Sequence, residues 1–294
     1  MLLSNDSPKL KKNIQPWRYY NHAAIPTQAP HIEPDVTPVL NGSVWKMAGG
    51  RPLLARWTTD FDCGQETQWW YCIKDTPLDV MSLTSKKRYE ITKGTKNFEV
   101  RQIDPSKYKE QLYEITIDAY SAWPKNYRPS VDKVDFLNKI DTWVSPVVLL
   151  GAFAKNTGEL CGYCSLKEDS TFVEFNVMRT KPSCEKLGIN AAMVAGLCEH
   201  YKKRLSLGDG FYINDGARNV LHQTAFQDYL EKGFGFRKAY CRLHISYRKP
   251  VGLLVDLLMP CRKLFYKFSH IGAISKISGI LRMEEICRSQ QTQK

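Results

Sequence analysis

Along this chain the spacing of apolar positions switches repeatedly between a period of two and a period of three to four, and each switch marks an element. Leu53–Thr58 and Gln68–Ile73 are short runs of aromatic and branched residues separated by Asp/Gly turn chemistry, which predicts two strands joined as a hairpin. A helix is expected to start near Leu78, run through Ser85–Lys96 and end around Gly94, followed by a strand at Phe98–Ile103. Tyr108, Leu112, Ile115, Ala119 and Trp123 fall at helical spacing and Pro124 stops them, and a second helix is read over Val131–Trp143. Val147–Ala154 and Leu160–Leu166 flank the turn Asn156-Thr157-Gly158 and predict a hairpin. After a strand at Thr171–Met178 the spacing of Ile189, Met193, Leu197 and Tyr201 predicts one long helix from about Gly188 to Arg204. Phe211–Asn214 reads as a short strand, Asn219–Lys232 as a helix ended by Gly233, and Phe236–Tyr247 as a strand.

From residue 98 the order is β-α-α-β-β-β-α-β-α-β, which predicts an α/β (α+β) domain: a mixed sheet with helices on both faces over residues 98–248. A hairpin and helix over residues 46–97 precede it. Residues 1–45 hold six prolines and no sustained period, so they read as an extended arm, disordered or wrapped on the body, with Trp17–Tyr20 favouring packing. Residues 249–294 carry eight basic and three acidic side chains alongside Leu253, Leu254, Leu257, Leu258, Leu264, Phe265 and Phe268. That tail reads either as an amphipathic helix on an anionic membrane surface or as a helix packed on the domain with solvated lysines.

With 42 basic and 30 acidic residues the chain has a net charge of +12, which suits an anionic partner without choosing among nucleic acid, membrane and phosphate-bearing ligand. Nine cysteines at irregular spacing fit reduced thiols better than a disulfide framework. Cys161-x-x-Cys164 sits inside an expected strand, where residues three apart face opposite sides, and lacks a second Cys/His pair, so no metal is expected. The first residues show no apolar leader and no stretch is long enough for a membrane span, so a cytoplasmic location is expected, peripheral on the membrane if the tail binds lipid.

Three stretches resemble the GNAT-type acyl-CoA N-acyltransferase superfamily and, within it, the Fem-type aminoacyltransferases and their single-copy relatives. Thr224–Phe234 is similar to the superfamily's final helix, with Ala225, Tyr229 and then Gly233-Phe234 at intervals of four. Pro182–Ala191 is similar to the loop that cradles a donor pyrophosphate, although Glu185 replaces the usual basic residue and Asn190 the second glycine. Ser85-Lys86-Lys87-Arg88-Tyr89-Glu90-Ile91 resembles the Ser-Lys-x-Arg-Tyr-x-Ile segment of Fem-type enzymes, which makes residues 46–97 a partial Fem-like extension. The resemblance implies a GNAT-like fold and an N-acyltransferase using an acyl-CoA, such as acetyl-CoA, as donor and an amine, such as an amino sugar or lipid-linked glycan precursor, as acceptor.

Under that reading Leu187, Gly188, Ile189, Asn190 and Ala191 seat the diphosphate with the free N–H groups of a helix start. Tyr229 returns a proton to the leaving group. Glu174, mid-strand and on the same face as Asn176, is a candidate base, and so is His222, which alternatively binds substrate. Asp215 and Arg218 are candidates for holding the acceptor, and Arg88 with its neighbouring lysines for meeting a phosphate, a carboxylate or tRNA. Two other readings stay open: Fem-type transfer from aminoacyl-tRNA to a cell-wall precursor, and a non-catalytic module that binds glycan or membrane, which the altered phosphate loop favours. The oligomeric state is not set by the sequence.

Overall fold

The computed structural model describes residues 16–125, 128–220 and 225–291. The described residues form two compact units, one within 72–216 and 225–238, the other within 16–71, 217–220 and 239–291.

The first unit is built on β5 (Phe98–Gln102), β6 (Val147–Ala154), β7 (Leu160–Glu168), β8 (Phe172–Thr180) and β9 (Tyr212–Ala217). Their order is β9-β8-β7-β6-β5, antiparallel except for the parallel pair β8–β9. The expected β6–β7 hairpin forms, with Val147 opposite Lys167 and Leu150 opposite Cys164. Residues 148–153 are buried without interruption, because helices cover both faces and a strand inside such a sandwich has no solvent side. On one face α3 (Lys109–Ser121) and α4 (Lys133–Ile140) bring Leu112, Ile115 and Ile140 against Leu149, Phe153, Leu160 and Tyr163. On the other face lie α2 (Ser85–Asn97) and α5 (Ile189–His200), where Gly196 lets α5 approach Val100 of β5. Helix α7 (Ala225–Phe234) completes this unit.

Several boundaries differ from the sequence expectation for identifiable reasons. Helix α2 begins at Ser85, because the Thr84 hydroxyl accepts from the Lys87 N–H and the preceding residues form a separate 3₁₀ turn, Val80–Ser82, capped by Asp79. The helix expected to run to Arg204 breaks at Tyr201, which turns inward to donate to Glu168 Oε1 at 2.7 Å before the short α6 (Lys202–Leu205). Gly233 does not end α7; it lies inside the helix, and the left-handed residue that ends it is Gly235, at φ +67°.

The second unit holds β1 (Trp17–Tyr20), β2 (Ala23–Pro26), α1 (Thr37–Leu40) and β3 (Leu54–Thr59). To these it adds the first half of β4 (Trp69–Lys74) and most of β10 (Arg237–Tyr247). The hairpin predicted from residues 53–58 and 68–73 does not form, since β3 pairs antiparallel with β10, Ile245 opposite Arg56, and β10 lies between β3 and β4. A strand partner nearly two hundred residues away thus displaces the neighbour that turn chemistry alone suggested. Of the proline-rich arm, the described residues from 16 onward fold back on this sheet, where Trp17, Ala24, Val39, Val44, Met47 and Ala55 form a core. The tail is three helices, α8 (Lys249–Leu258), α9 (Arg262–Lys267) and α10 (Gly272–Gln291). Among the described residues no helix is long and apolar enough to cross a membrane.

Candidate active site

In the first unit β8 and β9 pair over three residues only, Phe172–Glu174 against Tyr212–Asn214. Both strands continue, β8 to Thr180 and β9 to Ala217, without further pairing to each other. Beyond Glu174 and Asn214 the strands part, leaving edge-type N–H and C=O groups facing a gap. A gap of this kind is a natural place to hold an extended substrate by its own amide groups.

Asp215 is the first β9 residue past the parting point. Its carboxyl is held up to about 7, because burial disfavours the charge and a hydrogen bond with Gln227 only partly offsets that. Gln227 lies on α7, and its Nε2 also reaches the Gly216 carbonyl at 3.4 Å. Gly216 itself has φ +102° and donates to Asn214 Oδ1 at 2.9 Å, so the chain kinks where the strands separate. A carboxyl poised near neutrality beside an open strand edge has the acidity of a general base. Glu174, the base candidate from the sequence, is half-buried at the last paired position, opposite Lys167 and Asn214.

Phe175, the first β8 residue past the parting point, meets Phe226 of α7 edge-on at 5.8 Å. Phe226 stacks on Tyr229 at 6.2 Å, and Tyr229 meets Phe234 at 5.2 Å. The Lys87 ammonium sits 4.2 Å from the Tyr229 ring centre and 5.3 Å from that of Phe234, and is paired with Glu90 Oε2 at 2.5 Å. Burial, reinforced by the Glu90 carboxylate, pushes the Tyr229 phenol above its ordinary range, so it keeps its proton at any physiological pH.

The loop expected to seat a diphosphate is built differently. Pro182–Leu187 is a 3₁₀ turn, and Gly188, at φ +87°, starts α5. The Gly188 N–H donates to the Glu185 carbonyl and the Ala192 N–H to the Gly188 carbonyl, both within the turn. Ile189 and Ala191 point into the core, and the Asn190 side chain accepts from the Thr180 hydroxyl at 2.8 Å. Helix α2 lies directly on this turn: a Cβ on Gly94 would come within 2.9 Å of the Ala192 nitrogen and nearer still to the Gly188 oxygen. At its other end α2 reaches α7, where a Cβ on Gly233 would come within 2.8 Å of the Lys87 side chain. Asn97 closes the contact by donating to the Leu187 carbonyl at 3.0 Å. Helix α2 thus packs on one side of residues 187–191, against the Gly188 carbonyl and the Ala192 nitrogen, while Leu187 stays exposed.

Of the other predicted residues, Arg88 donates to the carbonyls of Met81 and Leu83 and reaches the Ser85 hydroxyl, bonds that brace the turn before α2. Arg218 belongs to the second unit, where it donates to the Gln68 carbonyl at 2.6 Å and its N–H to the Trp70 carbonyl. His222 lies outside the described residues. The structure brings together Asp215, Tyr229, Lys87 and Glu90 with Gln227, Phe175 and Phe226 in one unit; sequence reasoning did not single out Gln227, Glu90 or the two phenylalanines. The signal available for α2 was Gly94 itself, a glycine inside a helical pattern, which commonly marks a close backbone approach. Two cavities, of about 290 and 520 Å³, open in the second unit, lined by residues such as Cys63 and Arg242 or Met259 and Glu285, and none of the predicted site residues lines them. Among the described residues no group of His, Cys, Asp and Glu is placed to hold a metal.

No protein-family model matches the chain, and no curated protein is similar to it in sequence. Among solved structures it resembles FemX at 9% identity and a TM-score of 0.50, over 75% of this chain and 79% of that one. It also resembles L-PGS from Bacillus licheniformis at 15% identity and a TM-score of 0.46, over 81% of this chain and 82% of that one. The PaiA N-acetyltransferase from Thermoplasma acidophilum, solved in complex with coenzyme A, matches 36% of this chain and 73% of its own length at 23% identity and a TM-score of 0.30. The likeness to FemX shows that this chain shares the FemX fold.

Proposed function

We propose that the chain is an acyltransferase that forms an amide between an amine and the acyl group of an oxygen ester, in the manner the Fem resemblance implies. The observation that carries this reading is the parting of β8 and β9 with Asp215, held near pH 7, at its mouth. The amine nitrogen attacks the acyl carbonyl carbon, forming the N–C bond, and its proton passes to the Asp215 carboxylate. The C–O bond then breaks, and the departing oxygen takes the Tyr229 proton. Most of the acceleration comes from positioning in the gap and from backbone N–H groups aimed at the carbonyl oxygen.

Two features favour an ester over a thioester donor. A phenol held above its usual value of about 10 is a weak acid toward a thiolate, whose pKa is near 8.5, but matches an alkoxide. Helix α2 packs on the Gly188 and Ala192 backbone and so crowds one side of the expected diphosphate seat. An aminoacyl-tRNA is an ester donor of this kind, and the net charge of +12 suits its phosphates. The acceptor we infer is an amine on a cell-wall or lipid-linked glycan precursor.

The test is a pair of assays with one amine panel, measuring amide formation from aminoacyl-tRNA and free thiol release from acetyl-CoA. Transfer from the ester, lost by at least about a hundred-fold in Asp215→Asn, is the expected result. Thiol release from acetyl-CoA overturns the donor assignment, and transfer from neither makes the chain a binding module.

A further inference from the structure

We propose that the outer face of α8 and α9 docks the protein on an anionic lipid bilayer. This inference is independent of the acyl-transfer reading.

Helix α8 is apolar on two sides. Its inner side, Val255 and the adjoining Met259, is buried against Leu281 of α10, so that face already has its partner. Its outer side leaves Leu253 and Leu257 each 74% exposed and Leu254 53% exposed. In α9 the same division recurs: Phe265 and Tyr266 pack inward, while Leu264 is 58% and the following Phe268 40% exposed. A helix apolar all round is a buried helix, and here only half of that burial is supplied by the chain.

The charges around this face are sorted. All three acidic residues of the tail are engaged, Asp256 and Glu284 with Arg288 and Glu285 with Arg262. Among the described residues Lys249, Lys263, Lys267 and Lys276 make no ion pair, and all four are exposed. Lys263 and Lys267 stand next to Leu264 and Phe268 on the same exposed stripe of α9. Unpaired lysines set beside exposed leucines match the boundary of an anionic bilayer, where apolar side chains enter the acyl region and ammonium groups meet phosphates. A second copy of the chain fits less well, because a two-fold pairing of this face sets lysine against lysine.

The experiment is co-sedimentation of the full chain with vesicles of phosphatidylcholine alone or with phosphatidylglycerol added. Binding to the anionic vesicles only, weakened by salt, is expected. Lys263→Gln with Lys267→Gln should lower the partition coefficient by about 30-fold, at about 1 kcal/mol for each lysine near the surface. Leu253→Ser with Leu257→Ser should abolish binding, while Leu40→Ser, an 81% exposed leucine elsewhere in the same unit, should leave it unchanged. Circular dichroism melts of each variant separate lost folding from lost binding. No binding to either vesicle, binding indifferent to lipid charge, or a dimer in light scattering that the Leu253/Leu257 pair dissolves would each overturn the proposal.

Discussion

Replacing Gly94 by alanine tests whether α2 is locked onto the start of α5. In an ordinary helix interior that change stabilises by up to about 1 kcal/mol, since alanine loses less backbone entropy than glycine. At Gly94 the new carbon lands 2.9 Å from the Ala192 nitrogen and closer to the Gly188 oxygen, whereas ordinary contact begins at 3.4 Å. Helix α2 must therefore retreat by half an ångström or more from two backbone atoms, neither of which can rotate away. Against backbone atoms the overpacking cost falls at the upper end of its usual range, about 2–3 kcal/mol, so after a helix gain of about 1 kcal/mol the net loss is about 1–2 kcal/mol. For a unit of this size the unfolding midpoint falls by about 2–8 °C. Gly272→Ala is the control, because a Cβ there meets nothing within 4 Å and should cost nothing. The readout is thermal unfolding by circular dichroism on parent and both variants. A Gly94→Ala protein as stable as the parent would mean that α2 does not rest on the Gly188 turn, and its crowding of the diphosphate seat would have to be reconsidered.

With Asp215 as base, kcat/KM should climb with pH to half its plateau near pH 7, set by a carboxyl at about 7, and the step should vanish in Asp215→Asn. The same group makes a stability prediction: its folded pKa lies above the unfolded value of 3.8, so its contribution is full below pH 4 and lost as pH rises through 7. In urea unfolding at pH 8, Asp215→Asn should accordingly be at least as stable as the parent. Tyr229→Phe keeps the ring on Lys87 and should lower kcat by about a hundred-fold with little change in melting, whereas Lys87→Met should lower stability by about 0.5–2 kcal/mol. In a thiol-labelling time course the exposed Cys261 should react first, and Cys164, Cys198 and Cys241, buried and pushed up to about 12, only on unfolding.

Much of the first unit was legible because its elements obey local rules. Val147–Ala154 is an unbroken apolar run, Gly158 at φ +73° lets the β6–β7 turn close, and Pro124 marks where α3 has ended. The Tyr–Gly-Phe spacing of α7, with residues 85–91 and 182–191, pointed to Fem-type enzymes, and the chain shares the fold of FemX. The site was less legible. Glu174 was a base candidate because alternation puts it on the face of Asn176, whereas the acidity of Asp215 depends on surroundings in three dimensions. Burial raises the Asp215 carboxyl and a glutamine on another helix partly offsets it. The diphosphate loop was read from Pro182–Ala191 and the element order, and the helix packed on it comes from a segment about ninety residues earlier.

Periodicity, proline and glycine placement and the charge excess are properties of neighbouring residues, so the sequence alone determined which segments are helices and strands and what class of fold they make. Which strands pair, where β8 and β9 part, and which carboxyl is forced toward neutrality depend on atoms brought together from distant positions. Desolvation and backbone contact act through space, so those features were decided by the tertiary structure, as when β10 came between β3 and β4 and α2 closed over Gly188.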